Sequence, residues 1–173
     1  MRTTIGVLLC AAAVLVAGCG TVSGEAQPAS PTSGDPTFDP CDDIPDEAIR
    51  GIGLDPETEE RGILGVEQPG WRICVWDNTN EIVSVYASGI PLEEVRRNPD
   101  FVEFDEIDLD GRKALTFRDA ADADRERCLV ATRSGDLMVM VSAASTALVN
   151  GPVREPCALV REAAAAFLAY MEE

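Results

Sequence analysis

The apolar and polar positions of this 173-residue chain fall into three regimes. Residues 5–17 are almost unbroken apolar or small. Residues 20–37, GTVSGEAQPASPTSGDPT, hold no large apolar residue except Val22. From Phe38 onward, apolar residues recur at the periods of helices and strands. In FDPCDDIPDEAIRGIGLD, Ile44, Ala48, Ile49 and Ile52 lie near helical spacing, and Gly51 and Gly53 end the pattern. The spacing predicts a helix over about 41–51. Residues 54–69 are rich in acids and glycines and read as loop.

GWRICVWDN and EIVSVYAS are β-branched and aromatic, with turn chemistry between them, so they predict a hairpin over about 71–77 and 81–88. Trp71 and Trp76 then point to opposite faces. PLEEVRRNP predicts a short helix bounded by Pro91 and Pro99. FVEFDEIDLDGRKALTFRD reads as a second hairpin with Asp110-Gly111 at its turn. ERCLVATRS and DLMVMVSAA form a third, around Ser134-Gly135-Asp136. In that hairpin Leu137, Val139 and Val141 share one face, and Met138 and Met140 the other. The chain closes on EPCALVREAAAAFLAYM. Pro156 suits a first helical turn, and Cys157, Val160, Ala164, Phe167, Leu168 and Met171 form an apolar stripe. The expected architecture is α+β: an antiparallel sheet of about five to six strands packed against an N-terminal and a C-terminal helix.

The first regime sets an address. Its apolar run of about 13 residues is ~20 Å of helix at ~1.5 Å per residue. A bilayer core of ~30 Å needs about 20. The run is too short for a span and matches the apolar region of an export signal. It ends in Val16-Ala17-Gly18-Cys19, the lipobox pattern, in which the cysteine thiol receives a diacylglyceryl group and becomes the mature N-terminus. An uncleaved anchor helix and an ordinary secreted signal are the alternatives. Position, small preceding residues and the polar stretch that follows all favour lipidation at Cys19. Residues 1–18 are then a signal peptide, and 19–37 a lipidated cysteine and tether of roughly 23 Å typical reach. Residues 38–173 form one globular domain.

Charge and composition then narrow the function. The formal net charge is −17, and loss of Arg2 with the signal makes it −18. Nucleic acid needs a basic surface, so it is excluded as a partner. An acidic domain is also repelled by anionic lipid, which leaves the anchor as the membrane attachment. The chain has no histidine. This removes Ser-His-Asp and Cys-His machinery and histidine-based zinc sites. No cofactor motif, metal motif or catalytic residue is predicted. Glu106, Asp108, Asp110 and Gly111 imitate half of a calcium loop, but its twelfth position is Phe117, not glutamate. The acids hold no pair that stands out as a glycosidase dyad.

Four cysteines follow Cys19: Cys41, Cys74, Cys128 and Cys157. In an exported domain they read as two disulfides. Sequence allows three pairings. Cys41–Cys74 and Cys128–Cys157 are favoured because each joins a helix start to a nearby strand. Each closes a loop of roughly 30 residues, worth ~3–4 kcal/mol.

DPC at Asp39–Cys41, CVW at Cys74–Trp76, DGRKAL at Asp110–Leu115 and EPC at Glu155–Cys157 occur here in one order behind a lipobox. With these motifs the chain resembles the actinobacterial lipoproteins catalogued as domain of unknown function 3558, over about residues 38–171. The single lysine and the abundance of Ala, Arg, Asp and Glu suit such a source. The resemblance implies an envelope lipoprotein with an α+β domain and brings no catalytic residue. The expected function is a non-catalytic binding or accessory module, lipid-anchored on the outer face of the cell membrane. Its partner would be an envelope protein, a lipid or a small molecule. A carboxylate-based hydrolase and a structural protein without a ligand are the alternatives.

Overall fold

The computed structural model describes residues 36–145 and 153–171. Cys19, segment 1–18 and all but the last two residues of segment 19–37 lie outside them. The described residues hold one seven-stranded sheet in which every neighbouring pair is antiparallel. The strands are β1 (Asp55–Arg61), β2 (Trp71–Asp77), β3 (Glu81–Ser88), β4 (Phe101–Leu109), β5 (Arg112–Asp119), β6 (Arg127–Ser134) and β7 (Leu137–Ser145). Their order is β1-β2-β3-β7-β6-β5-β4. Two meanders therefore meet at the β3–β7 pair in the middle of the sheet.

Local chemistry sets the turns. After β2, Asn78 Oδ1 accepts from the backbone N–H groups of Asn80 and Glu81, each at 2.9 Å. Asp110 and Gly111 both have positive φ, 51° and 91°, the pair that a type I′ hairpin turn requires. That hairpin, with Leu109 opposite Arg112, accounts for the acids that imitate a calcium loop.

The sheet has one strand more than the five to six expected, and the extra one is β1, inside the segment read as loop. DPETEER carries no alternation because β1 is an edge strand, exposed or half-buried along its whole length. Its hold on β2 is backbone pairing, with the Thr58 hydroxyl accepting from the Asp77 N–H at 2.9 Å where the register shifts, and an edge is where Pro56 is tolerated. The helix expected over 41–51 is two pieces, α1 (Pro40–Asp43) and α2 (Asp46–Gly51). Pro45 breaks it: Ile44 takes an extended conformation, as a residue before proline prefers. Asp39 caps α1, accepting from the Cys41 N–H at 3.1 Å. The remaining helices are α3 (Leu92–Arg97) and α4 (Pro156–Phe167), the latter followed by a 3₁₀ turn. The molecule is mostly sheet, with a few short helices.

The two faces of the sheet carry separate cores. On the first, Trp76, Val83, Val85, Val130, Val139 and Val141 pack under α1, α2 and α4. Here Trp76 meets Phe167 at 6.3 Å between ring centroids. The buried face of α4 is broader than the expected stripe: Leu159 and Ala163 join Val160, Ala164 and Phe167, while Cys157 and Leu168 are half-buried. Disulfides Cys41–Cys74 and Cys128–Cys157 tie α1 to β2 and β6 to α4 on this side. On the second face Leu115, Phe117, Leu129, Ala131, Met138 and Met140 are covered by Val95 of α3. Trp71 stands edge-on to Tyr86 there, so the two tryptophans do serve opposite faces. A bulge at Glu103, φ 56°, turns both Phe101 and Phe104 onto Phe117, at 4.8 and 5.2 Å.

Candidate functional site: a groove under α3

The β3–β4 connection crosses the second face from the middle of the sheet to its far edge, carrying α3 with it. A helix of six residues does not span that face. Beside it lies a groove of about 600 Å³, walled by α3, β4, β5 and β6. Leu92 and Leu115 supply its apolar side chains, whereas Ile107 and Ala114 border it from positions that pack into the first core. Arg96, Arg112, Lys113 and Arg133 supply four cations against the acids Glu93, Glu106 and Asp108. In a chain with 14 basic and 31 acidic side chains, this is a local reversal of charge.

Each wall follows from local sequence. Pro91 fixes the entry to α3, and Val95 turns into the second core. Arg96 donates to Glu106 Oε1 at 2.5 Å and ties α3 to the edge strand. Asp108 Oδ1 accepts from the Gly111 N–H at 2.8 Å, which holds the turn. Arg112 donates to the Arg133 carbonyl at 3.1 Å, and the Thr132 hydroxyl to the Lys113 carbonyl at 2.9 Å. These two bonds lock β5 to β6 beneath the cations. Lys113 and Arg133 are exposed, and neither forms an ion pair among the described residues. Arg112 and Arg133 also border a second hollow of about 680 Å³, between the hairpin tips and the end of α4.

Most of the residues singled out by sequence lie elsewhere. The four bonded cysteines belong to the first face. Cys41 and Cys74 sit close to Glu59, but their sulfurs are spent on each other and ligate nothing. Glu106 and Asp108 of the calcium-like run do line the groove, with one oxygen of each bonded to Arg96 and to Gly111. The groove cations were not singled out by sequence, since positions 96, 112, 113 and 133 share no local motif.

A carboxylate hydrolase needs a general acid with a raised pKa. The buried carboxylate here goes the other way. Glu81, 5 % exposed, accepts from the Arg154 side chain at 2.8 and 2.5 Å and from Asn78 at 3.1 Å. The Arg154 hydrogen bonds hold its pKa down at about 2, against the opposing effect of burial. Glu103 is likewise lowered, by its hydrogen bonds from Arg125.

Fold and groove define a class: a disulfide-stapled antiparallel sheet, thickly covered on one face and open beside a single short helix on the other. The chain belongs to the family described as "Protein of unknown function (DUF3558)", which matches residues 14–170. That match begins inside the apolar run, ahead of the globular domain. No curated protein and no solved structure matches the chain.

Proposed function

We propose that this chain is an actinobacterial cell-envelope lipoprotein, held to the outer face of the cell membrane through Cys19, whose domain is a non-catalytic binding module. The observation that carries the binding role is the groove under α3. It joins an apolar lining to two exposed cations, Lys113 and Arg133, that form no ion pair among the described residues. A site of this size and make-up selects a group that is apolar in body and acidic at its end. The composition of residues 20–37, rich in Ser, Pro, Gly and Thr with no large apolar residue except Val22, is that of a tether and supports the address.

Titration of the anchored chain in nanodiscs with 8-anilinonaphthalene-1-sulfonate, an apolar anionic fluorophore, tests the groove once the signal of empty nanodiscs is subtracted. The wild type is expected to bind it. The double variant Lys113→Glu/Arg133→Glu is expected to bind at least about tenfold more weakly, with an unchanged circular dichroism spectrum. Equal affinity in both proteins would refute the assignment.

A further inference from the structure

The three most exposed large hydrophobic side chains among the described residues lie within four positions: Ile63 at 50 %, Leu64 at 88 % and Val66 at 60 %. They form the tip of the β1–β2 connection. The Ile63 N–H donates to the Val66 carbonyl at 2.9 Å and the Val66 N–H to the Ile63 carbonyl at 3.0 Å, closing a two-residue hairpin turn. Its central residues, Leu64 and Gly65, have φ of 52° and 73°. A turn of this kind is served by Asn-Gly. Leucine is strained there, and its side chain is left in water. The tip is nevertheless built, because Gly62 has φ 77° and a Cβ on it would sit 2.2 Å from the Val66 carbonyl oxygen. Strain and exposure together, at a rigidly shaped tip, mark a contact surface.

The neck below the tip is acidic. Glu57, Glu59, Glu60 and Glu67 are exposed, whereas Arg61 is taken up by Asp39 and Asp42. An apolar tip on an acidic neck is the complement of the groove, with its apolar lining and with Lys113 and Arg133 in no ion pair among the described residues. We propose that this finger docks into the groove of a second copy of the chain, so that the groove's occupant is the protein itself. The proposal rests on reading the groove as a binding site.

A chain's finger does not reach its own groove. β1 and β4 are opposite edges of the seven-stranded sheet, roughly 29 Å apart at ~4.8 Å per strand. The contact is therefore head-to-tail, and it propagates into rows or closes into rings. Lipid anchors on one membrane face would hold all copies in one plane. The acidic neck disfavours insertion of the tip into an anionic bilayer.

Replacing Leu64 by photoreactive p-benzoylphenylalanine in the full chain, and irradiating it in the membrane of the cell that makes it, tests the contact. The expected product is a covalent multimer whose cross-linked peptide carries Leu92 or Leu115 of a second copy. The charge reversals Lys113→Glu/Arg133→Glu are expected to cut its yield at least about tenfold. Leu64→Asn, assayed by sedimentation of the chain in nanodiscs each loaded with one copy, is expected to abolish association without lowering the melting temperature. Adducts with lipid, adducts with another protein, or an unchanged yield in the charge-reversed variant would overturn the proposal. The fluorophore titration reads the groove alone. If the probe binds and no groove-linked multimer forms, the finger assignment fails and the groove stands; if the probe also fails, both fall.

Discussion

Glu81→Gln removes one charge from the most tightly tied carboxylate in the described structure. Glu81 opens β3, and its partner Arg154 precedes α4. Arg154 also donates to the Ile52 carbonyl at the end of α2, at 2.7 Å. One ion pair therefore joins three elements of the first face. Its strength follows from linkage. The fall in pKa from 4.5 to about 2 corresponds to roughly 3 kcal/mol, at ~1.36 kcal/mol for each step of one. The Arg154 side chain is 32 % exposed, so solvent screening brings the net value nearer to about 2 kcal/mol. Arg154 keeps Glu162 at 3.0 Å and the Ile52 carbonyl, so the variant does not strand a bare charge. The folded pKa lies below the unfolded one. The contribution is therefore complete above pH 4.5 and is lost as pH falls through about 2. Urea unfolding followed by circular dichroism should show Glu81→Gln less stable than wild type by about 2 kcal/mol at pH 7, with the gap closing below pH 4.5. Two stability profiles that run parallel from pH 7 to pH 2, or a deficit under about 0.5 kcal/mol, would refute the linkage.

Removing the disulfide that joins β6 to α4, as Cys128→Ser/Cys157→Ser, opens a link between residues 29 apart. It should lower unfolding free energy by about 3 kcal/mol in a guanidinium titration, and a loss under about 1 kcal/mol would place the hold on α4 in its apolar contacts alone. Gly62→Ala and Gly51→Ala should move in opposite directions. The first forces a Cβ against the Val66 carbonyl at positive φ and should destabilise by at least about 1 kcal/mol, whereas the second meets nothing within 4 Å at a helix end and should leave thermal stability equal or higher. Cys19→Ser should leave an unprocessed, unlipidated chain. Detergent-phase partitioning of the variant identical to wild type would remove the lipid anchor from the proposal.

How much was legible depended on whether burial was one-sided. β7 is buried on both faces, yet its valines and methionines alternate, so its two faces were readable from Leu137 to Val141. The Asp110-Gly111 turn was readable because its residues tolerate positive φ. The Leu64-Gly65 turn was not, because leucine gives no turn signal. β1 was missed for a related reason. An edge strand without a buried face needs no hydrophobic period, and backbone pairing leaves no trace in side-chain order. In α1 and α2 the apolar spacing of Ile44, Ala48 and Ile49 outweighed Pro45, and Pro45 decided the backbone. The groove was the least legible part. Its cations come from a helix and two strands, and only the β3–β4 crossover brings them together.

That crossover also accounts for the difference between the faces. Two meanders that meet at β3 and β7 leave the connection from β3 to the far edge no route within the sheet, so it runs across a face. The first face was already claimed by α1, α2 and α4, with a disulfide fastening α1 and another fastening α4. The crossover therefore took the second face, where Pro91 and Pro99 confine helix to a turn and a half. So short a helix buries Leu115 and Phe117 only with the help of Phe101 and Phe104, and it leaves a groove beside it. A partly apolar groove would recruit partners indiscriminately unless its rim selected them. On the proposed reading Lys113 and Arg133, which form no ion pair among the described residues, are that selection: they would admit an apolar group that carries negative charge and repel one that carries positive charge.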